Sequence, residues 1–198
     1  MSFEMAWQPG SSLIFLYSNG GLGHLGGYTF ILDARTGRVC ELNLGGWALR
    51  ARWSSDGRSL AVICATEYTF PIHTSDLTVL DSITGNLIHL AIPQDPAGEQ
   101  PYVQDFTWAP DNRHLLALID PRPSRNSLPN ADVHHDLYLV DFVSGQTTQL
   151  FPDYQSFVAN GTPWNNLAWS PGGSRLLIRC ASSAADRICL ISVRVNGK

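Results

Sequence analysis

Three short motifs in the sequence could carry chemistry, and the first is a glycine-rich segment. Residues 21–26 read Gly-Leu-Gly-His-Leu-Gly, which matches the G-x-G-x-x-G pattern that binds the pyrophosphate of a dinucleotide. That pattern needs a helix directly after it, because the helix N-terminus holds the phosphate. Here the strand-like residues 27–32 follow, and Asp33 comes too soon for a crossover helix. We therefore interpret residues 21–26 as a loop and predict no cofactor.

The other two motifs point to a metal and to a nucleophile. His134-His135-Asp136 offers imidazole and carboxylate ligands, but adjacent residues at the start of a strand point to opposite faces and do not easily share one ion. Residues 57–61 and 172–176 approach the G-x-S-x-G elbow of serine hydrolases, yet both lack the final glycine and lie at predicted turns. We predict no catalytic residue, no metal and no enzymatic activity for this chain alone.

The four cysteines argue against a zinc site. No C-x-x-C pair occurs, and each cysteine lies in an apolar segment, which predicts small, buried, reduced thiols of the kind found in cytoplasmic proteins. Cys180 and Cys189 could also be neighbours across a hairpin, which leaves a disulfide between them open.

Composition restricts the class of protein. The 198 residues are enough for one domain, and 44% hydrophobic with only 15% charged residues excludes a disordered chain. A net charge of −4 argues against a nucleic-acid partner, and no apolar run approaches the roughly 18 residues of a membrane span. Met1–Met5 shows no export signal, so we predict a cytoplasmic protein without a membrane partner.

The elements that would position any site come from a repeat that occurs four times. Its head is a tryptophan with an apolar residue two positions earlier, a turn rich in Pro, Asp, Asn and Gly, and then an apolar strand. Its tail is a strand ending in Asp, with Gly four residues later, and a further strand. The heads span Trp7–Leu13, Trp53–Leu60, Trp108–Leu115 and Trp169–Leu176, and the tails Asp33–Gly37, Asp81–Gly85 and Asp141–Gly145, with Ser192 in a degraded fourth copy.

This repeated head and tail resembles the TolB-like and WD-repeat-like β-propellers. The resemblance implies an all-β fold, a β-propeller with four four-stranded blades of which the last is incomplete. We expect a single domain over residues 1–198, with blades at about 3–45, 48–92, 102–151 and 165–198. Members of the family include periplasmic envelope proteins, interaction scaffolds and the propeller domains of serine peptidases, so the resemblance leaves the function open.

Loop lengths predict which face of the repeats is used for binding. With the strands of a blade named A to D from the inside, the A–B and C–D turns lie on one face, here called the short-turn face. The B–C loops and D–A crossovers lie on the other, here called the loop face. The Trp-to-Leu spacing is 6, 7, 7 and 7 across the A–B turn, whereas the Trp-to-Asp spacing, which contains the B–C loop, is 26, 28 and 33. Variation confined to one face of a repeat array commonly marks its binding side.

The candidate binding residues on the loop face are aromatic, arginine or histidine residues, the first two being types that anchor interfaces. They are Tyr68, Phe70, His73, Arg122, Arg125, His134, His135, Tyr154, Phe157 and Trp164. Alternatively, the long loops fold back over the blade ends and bury these aromatic side chains.

We expect a non-enzymatic module that binds a protein partner, or scaffolds one, through the loop face. The alternatives are the propeller part of a serine-peptidase-type hydrolase, whose catalytic domain lies elsewhere, and a TolB-like envelope component. The four blades either close on themselves or form an open arc of a larger ring, and we favour the arc. An arc exposes the apolar sides of its first and last blades, which a second copy in a homodimer or a docking subunit would cover.

Overall fold

A computed structural model describes residues 3–18, 27–65, 75–93, 102–120, 134–150, 156–157, 167–182 and 185–193. These residues form strands and turns without a helix, and they divide into two compact units, Met1–Ile92 and Pro93–Lys198. The all-β fold class predicted from the sequence is therefore confirmed.

The first unit contains two four-stranded antiparallel sheets, blades one and two. Within each blade, consecutive strands pair in chain order, as the repeat predicts. Blade one consists of β1 (Phe3–Trp7), β2 (Leu13–Ser18), β3 (Thr29–Asp33) and β4 (Val39–Glu41). Blade two consists of β5 (Trp47–Trp53), β6 (Ser59–Ala65), β7 (Ser75–Asp81) and β8 (Leu87–Leu90).

The second unit contains blades three and four and one additional short strand. Blade three again has four consecutive antiparallel strands, and blade four has three among the described residues. Blade three consists of β9 (Tyr102–Trp108), β10 (His114–Asp120), β11 (His134–Asp141) and β12 (Gln146–Leu150). The additional strand is β13 (Ser156–Phe157), and blade four consists of β14 (Leu167–Trp169), β15 (Arg175–Ser182) and β16 (Ala185–Ser192).

The turn between strands A and B has the same backbone hydrogen bonds in all four blades, although the left-handed residue of blade one, Gly10, lies one position earlier than in the others. In blade two, the Ser54 N–H donates to the Ser59 carbonyl at 2.8 Å and the Gly57 N–H donates to the Ser54 carbonyl at 3.0 Å. Gly57 has a φ of 70°, in the left-handed region, and Asn112 has a φ of 55° at the same turn position of blade three. Asn is the residue that best replaces Gly in this region, so the turn predicted from the Pro, Asp, Asn and Gly pattern is confirmed.

The strand register corrects one detail of the sequence alignment. Each head tryptophan lies opposite a β-strand residue seven positions later, and in the first copy that residue is Ile14 rather than Leu13. The sequence spacing of 6 in the first copy therefore used the wrong residue, because the residue equivalent to Leu60 is Ile14 and not Leu13. The four A–B turns have equal length, so positions after the turn can be compared between blades one for one.

Backbone hydrogen bonds join the two turns of the short-turn face in every blade. The residue after the tail Asp donates its N–H to a carbonyl in the A–B turn: Ala34 to Ser12 at 2.8 Å, Ser82 to Arg58 at 2.9 Å and Phe142 to Arg113 at 3.3 Å. In blade four the donor is Val193 and the acceptor is Ser174, at 3.1 Å. This end of each blade is thus fixed by backbone contacts that do not depend on the side chains present.

Blades one and two pack through a continuous apolar cluster. Blade one contributes Phe15 and Tyr17, and blade two contributes Ala51, Leu60 and Val62, all of them buried. The head tryptophan of blade two packs against this cluster, and its Nε1 donates a hydrogen bond of 3.0 Å to the carbonyl of Ala6 in β1. The side of a blade that faces the next blade along the chain, as in blade one here, is called its following side, and the side that faces the previous blade, as in blade two, is called its preceding side.

Blades three and four pack in the same way within the second unit. Leu116 and Leu137 of blade three cluster with Leu176 of blade four, and the head tryptophan Trp169 packs against them. Trp169 differs from its counterpart in one respect, because its buried Nε1 has no hydrogen-bond partner among the described residues.

This difference between the two tryptophans predicts different effects of the same substitution. Trp53→Phe removes the hydrogen bond to Ala6, whereas Trp169→Phe removes ring area without removing a bond. We expect Trp53→Phe to lower the free energy of unfolding by about 1 kcal/mol more than Trp169→Phe. Urea denaturation of both variants measures the difference, and equal losses would show that the bond to Ala6 contributes nothing.

Candidate interaction surfaces

The connections between strands vary widely in length at one end of the blades, and by at most one residue at the other. On the short-turn face, residues 8–12, 54–58, 109–113 and 170–174 form A–B turns of five residues each. On the loop face, the B–C connections are residues 19–28, 66–74, 121–133 and 183–184, in blade order. The contrast in length that the sequence spacing predicts is present in the strand bounds.

Of the ten residues predicted to bind a partner, three lie within the described residues. His134 and His135 begin strand β11, and Phe157 lies in β13. The backbone register pairs His134 with Phe157 and His135 with Ser156. The other seven predicted residues, which lie outside the described residues, are Tyr68, Phe70, His73, Arg122, Arg125, Tyr154 and Trp164.

Strand β13 was not predicted from the sequence, which suggests only a D–A crossover at this point. It pairs with β11 of blade three through His134 and His135, and with β15 of blade four through Phe157 and Ala181. The crossover is therefore tied to two blades at the loop face. The aromatic and β-branched pair Phe157-Val158 is the local signal for such a strand, but two residues are too few for periodicity to detect.

The structure describes the backbone beside the histidine pair and after the glycine-rich segment. His134 and His135 are consecutive strand residues, and no group of three metal-binding side chains occurs among the residues that the structure describes. After the glycine-rich residues 21–26, which lie outside the described residues, the chain continues into strand β3 rather than a helix. The Ser18 N–H donates to the Tyr28 carbonyl at 3.0 Å, which pairs the two ends of this B–C loop.

A buried tyrosine lies on the following side of blade one. The Tyr17 hydroxyl donates a hydrogen bond of 2.6 Å to Oε2 of Glu4. Burial, the hydrogen bond and the negative charge of Glu4 together raise the pKa of Tyr17 above its ordinary value, although the charge of Arg50 opposes this. The phenol therefore keeps its proton at neutral pH and acts as a hydrogen-bond donor within the cluster between blades one and two.

The cysteines follow the sequence prediction only in part. Cys64 is buried as predicted, and burial raises the pKa of its thiol to about 12, so the thiol is protonated and unreactive. Cys40, by contrast, is exposed on the outer strand β4, so the prediction of a buried thiol is wrong there. In the β15–β16 hairpin, Cys180 lies opposite Arg187 and Cys189 lies opposite Ile178, so the two cysteines are not direct cross-strand partners.

The tail carboxylates of the short-turn face are bound within their own turns. The Arg113 guanidinium donates from Nε at 3.0 Å and from Nη2 at 2.6 Å to the two carboxylate oxygens of Asp141, and this contact lowers the pKa of Asp141. Hydroxyl donors from Ser12 and Thr36, both at 2.6 Å, lower the pKa of Asp33 in the same way. These two carboxylates have structural roles, so they are not free to bind a ligand at the short-turn face.

Among the residues that the structure describes, pairs of large apolar side chains are exposed on the first blade and on the last. Met5 and Trp7 are exposed on blade one, and Leu177 and Leu190 are exposed on blade four. Leu177 and Leu190 lie directly opposite each other in the strand register. Within the described part of the chain, no helix has the length and apolar character needed to cross a membrane.

Comparison with known proteins identifies the fold. No family model and no curated protein sequence matches the chain. Among solved structures, it resembles a putative TolB from Agrobacterium tumefaciens with 19% identity and a TM-score of 0.58 over 96% of this chain and 58% of that one. It also resembles the β-propeller domain of the Trilobed protease from Pyrococcus furiosus, with 11% identity and a TM-score of 0.58 over 94% of this chain and 53% of that one.

A third similar structure is the acylaminoacyl peptidase from Pyrococcus horikoshii, with 14% identity and a TM-score of 0.60 over 96% of this chain and 30% of that one. The chain thus spans less than two thirds of each of these proteins. At such low identities the likeness concerns the fold, which is that of a β-propeller, as the TolB-like resemblance of the repeat implies.

Proposed function

We propose that this β-propeller chain is a non-catalytic module that binds a protein partner through its loop face. The observation that carries the proposal is the confinement of large differences in connection length to that face, while the A–B turns keep one length and one pattern of backbone hydrogen bonds. A repeat protein that conserves its framework at one end and varies the other presents the varied end to its partner. The expected cytoplasmic location belongs to the same proposal, and cell fractionation tests it.

Two further observations support this assignment. Strand β13 pairs with β11 and with β15. The backbone of the crossover between blades three and four is therefore held in place on the loop face, beside His134. On the short-turn face, in contrast, the carboxylates of Asp33 and Asp141 are engaged in contacts within their own blades. Arginine and aromatic residues, which predominate among the ten candidates, are the types that most often dominate binding energy.

A second candidate is the propeller part of a serine-peptidase-type hydrolase, which the similarity to peptidase propellers favours. The similarity to a putative TolB likewise favours a third candidate, a component of the cell envelope. These two candidates differ from the leading proposal in the partner: a catalytic domain for the hydrolase, and other envelope proteins for the TolB-like component. A captured partner with an α/β-hydrolase domain would favour the first, and recovery in the periplasmic fraction would favour the second.

The test compares two arginine pairs on opposite faces. Arg122→Ala with Arg125→Ala changes the B–C loop of blade three, and the control, Arg35→Ala with Arg38→Ala, changes two exposed arginines in the C–D turn of blade one. We expect the first double variant to weaken capture of a native partner about tenfold or more and the control to leave it unchanged, with equal melting temperatures. If the control weakens capture as much, or if only the melting temperature changes, the assignment to the loop face is wrong.

A further inference from the structure

The two internal blade contacts define what each side of a blade requires. In the first unit, the following side of blade one presents Phe15 and Ile31 to the preceding side of blade two, which contributes Ala51, Trp53 and Leu60. In the second unit, Leu116 and Leu139 of blade three take the positions of Phe15 and Ile31. Both contacts exclude water from the residues at their centre, since Phe15 and Leu116 have no exposed surface.

The following side of blade four has leucines at two of these positions, and both are exposed, while Arg179 takes the register position of Tyr17 and Leu118. Leu177 occupies the position of Phe15 and Leu116, and Leu190 occupies that of Ile31 and Leu139, as the strand registers show. Leu177 is 42% exposed and Leu190 is 60% exposed. Two cross-strand leucines are thus open to solvent at positions where the internal blades are covered.

The preceding side of blade one has exposed apolar residues in the complementary way, although Ile14, the cross-strand neighbour of Trp7, is buried. Met5 and Trp7 take the positions of Ala51 and Trp53 in blade two, yet Met5 is 62% exposed and Trp7 is 54% exposed, whereas Ala51 is buried. Tyr28, also exposed, stacks on Phe30 with 6.1 Å between ring centroids. Blade one therefore carries one half of a blade contact, and blade four carries the other half.

We propose that these two surfaces bind each other between two copies of the chain, so that blade one of each copy packs on blade four of the other. A second copy is the occupant that the structure favours, because the chain itself presents both halves of a contact that it already makes twice internally. A pair related by a two-fold axis satisfies both surfaces of both copies at once and brings eight blades together, within the range of known propellers. In this pair, Trp7 takes the place of Trp53, whose Nε1 donates to the carbonyl of Ala6 within the chain.

This contact goes beyond the proposed partner binding and uses a different surface, so either can fail without the other. Its test is the mass in solution, measured by sedimentation over a wide range of concentration. We expect the native chain to sediment as a dimer of twice 21.7 kDa at higher concentration. Met5→Glu or Leu177→Arg alone, each of which places a charge in both contacts of the pair, should raise the dissociation constant at least about tenfold.

Mixing the two variants provides the decisive comparison. In a mixed pair, one contact is native on both sides and the other opposes Glu to Arg, so we expect the mixture to regain the dimer that each variant alone has lost. The controls Ile83→Glu and Val143→Arg make the same changes at exposed apolar residues of C–D turns, and they should leave the dimer intact. A native chain that stays monomeric at every concentration, a species larger than a dimer, or a dimer sensitive to only one of the two variants would overturn the proposal.

Discussion

Leu116→Ala is expected to lower the free energy of unfolding by about 3 kcal/mol. Leu116 has no exposed surface and lies in the cluster that joins blades three and four. Truncating it to alanine removes apolar contacts and leaves a cavity that a β-sheet core cannot easily collapse to fill. Urea denaturation at low protein concentration measures the loss.

The matched control is Leu177→Ala, because Leu177 occupies the same repeat position in blade four. The residue type, the strand and the neighbours along the chain are comparable, and the difference is the blade that covers one leucine and not the other. We expect Leu177→Ala to cost less than about 1 kcal/mol in the monomer. Equal losses for the two substitutions would mean that a neighbouring blade covers Leu177 within the monomer.

Gly57→Ala is expected to lower the free energy of unfolding by about 2–4 kcal/mol. Gly57 lies in the A–B turn of blade two with a φ of 70°, where an L-residue is strained. A Cβ atom there would also lie 2.8 Å from the carbonyl oxygen of Pro9 in blade one, which is closer than such atoms approach in folded proteins. The substitution therefore strains the turn and separates the two blades.

Gly85→Ala is the control that separates the backbone strain of a positive φ from the close contact with Pro9. Gly85 has a nearly equal φ of 74° in the C–D turn of the same blade, but a Cβ atom there would meet nothing within 4 Å. We expect a loss of only about 1 kcal/mol from the strained backbone alone. If thermal and urea denaturation give the two variants the same stability, the close approach of Gly57 to Pro9 makes no contribution.

The fold could be predicted from the sequence because the same strand and turn motifs occur in several copies along the chain. The head and the tail each recur in order, so a weak signal in one copy, such as Ser192 in place of the tail Asp, is corrected by the others. The register of the first copy could not be predicted, because Leu13 and Ile14 are adjacent apolar residues and either could lie opposite Trp7. Only cross-strand hydrogen bonding decides between them.

The surfaces were less predictable than the strands. Alternation along a strand shows which side a residue such as Cys40 faces, but not how far the next blade extends across that side. Cys40 lies opposite Ile31 on the side that packs on blade two, yet in the outer strand β4 it is exposed. Strand β13 depends on partners some 20 residues away in each direction along the chain, a separation that local pattern does not report. The loop-face residues could be assigned to a face from their position in the repeat, whereas their mutual contacts depend on the long connections that vary from blade to blade.

The backbone bonds that join the two turns at the short-turn face have a consequence for how such a protein changes over evolution. From Ala34–Ser12 in the first repeat to Val193–Ser174 in the last, these bonds use main-chain atoms, so point mutations in the turns leave them in place. Lengthening either turn would break them. Insertions and deletions are therefore tolerated on the loop face. Binding specificity can change there between related proteins while the framework of the blades stays the same.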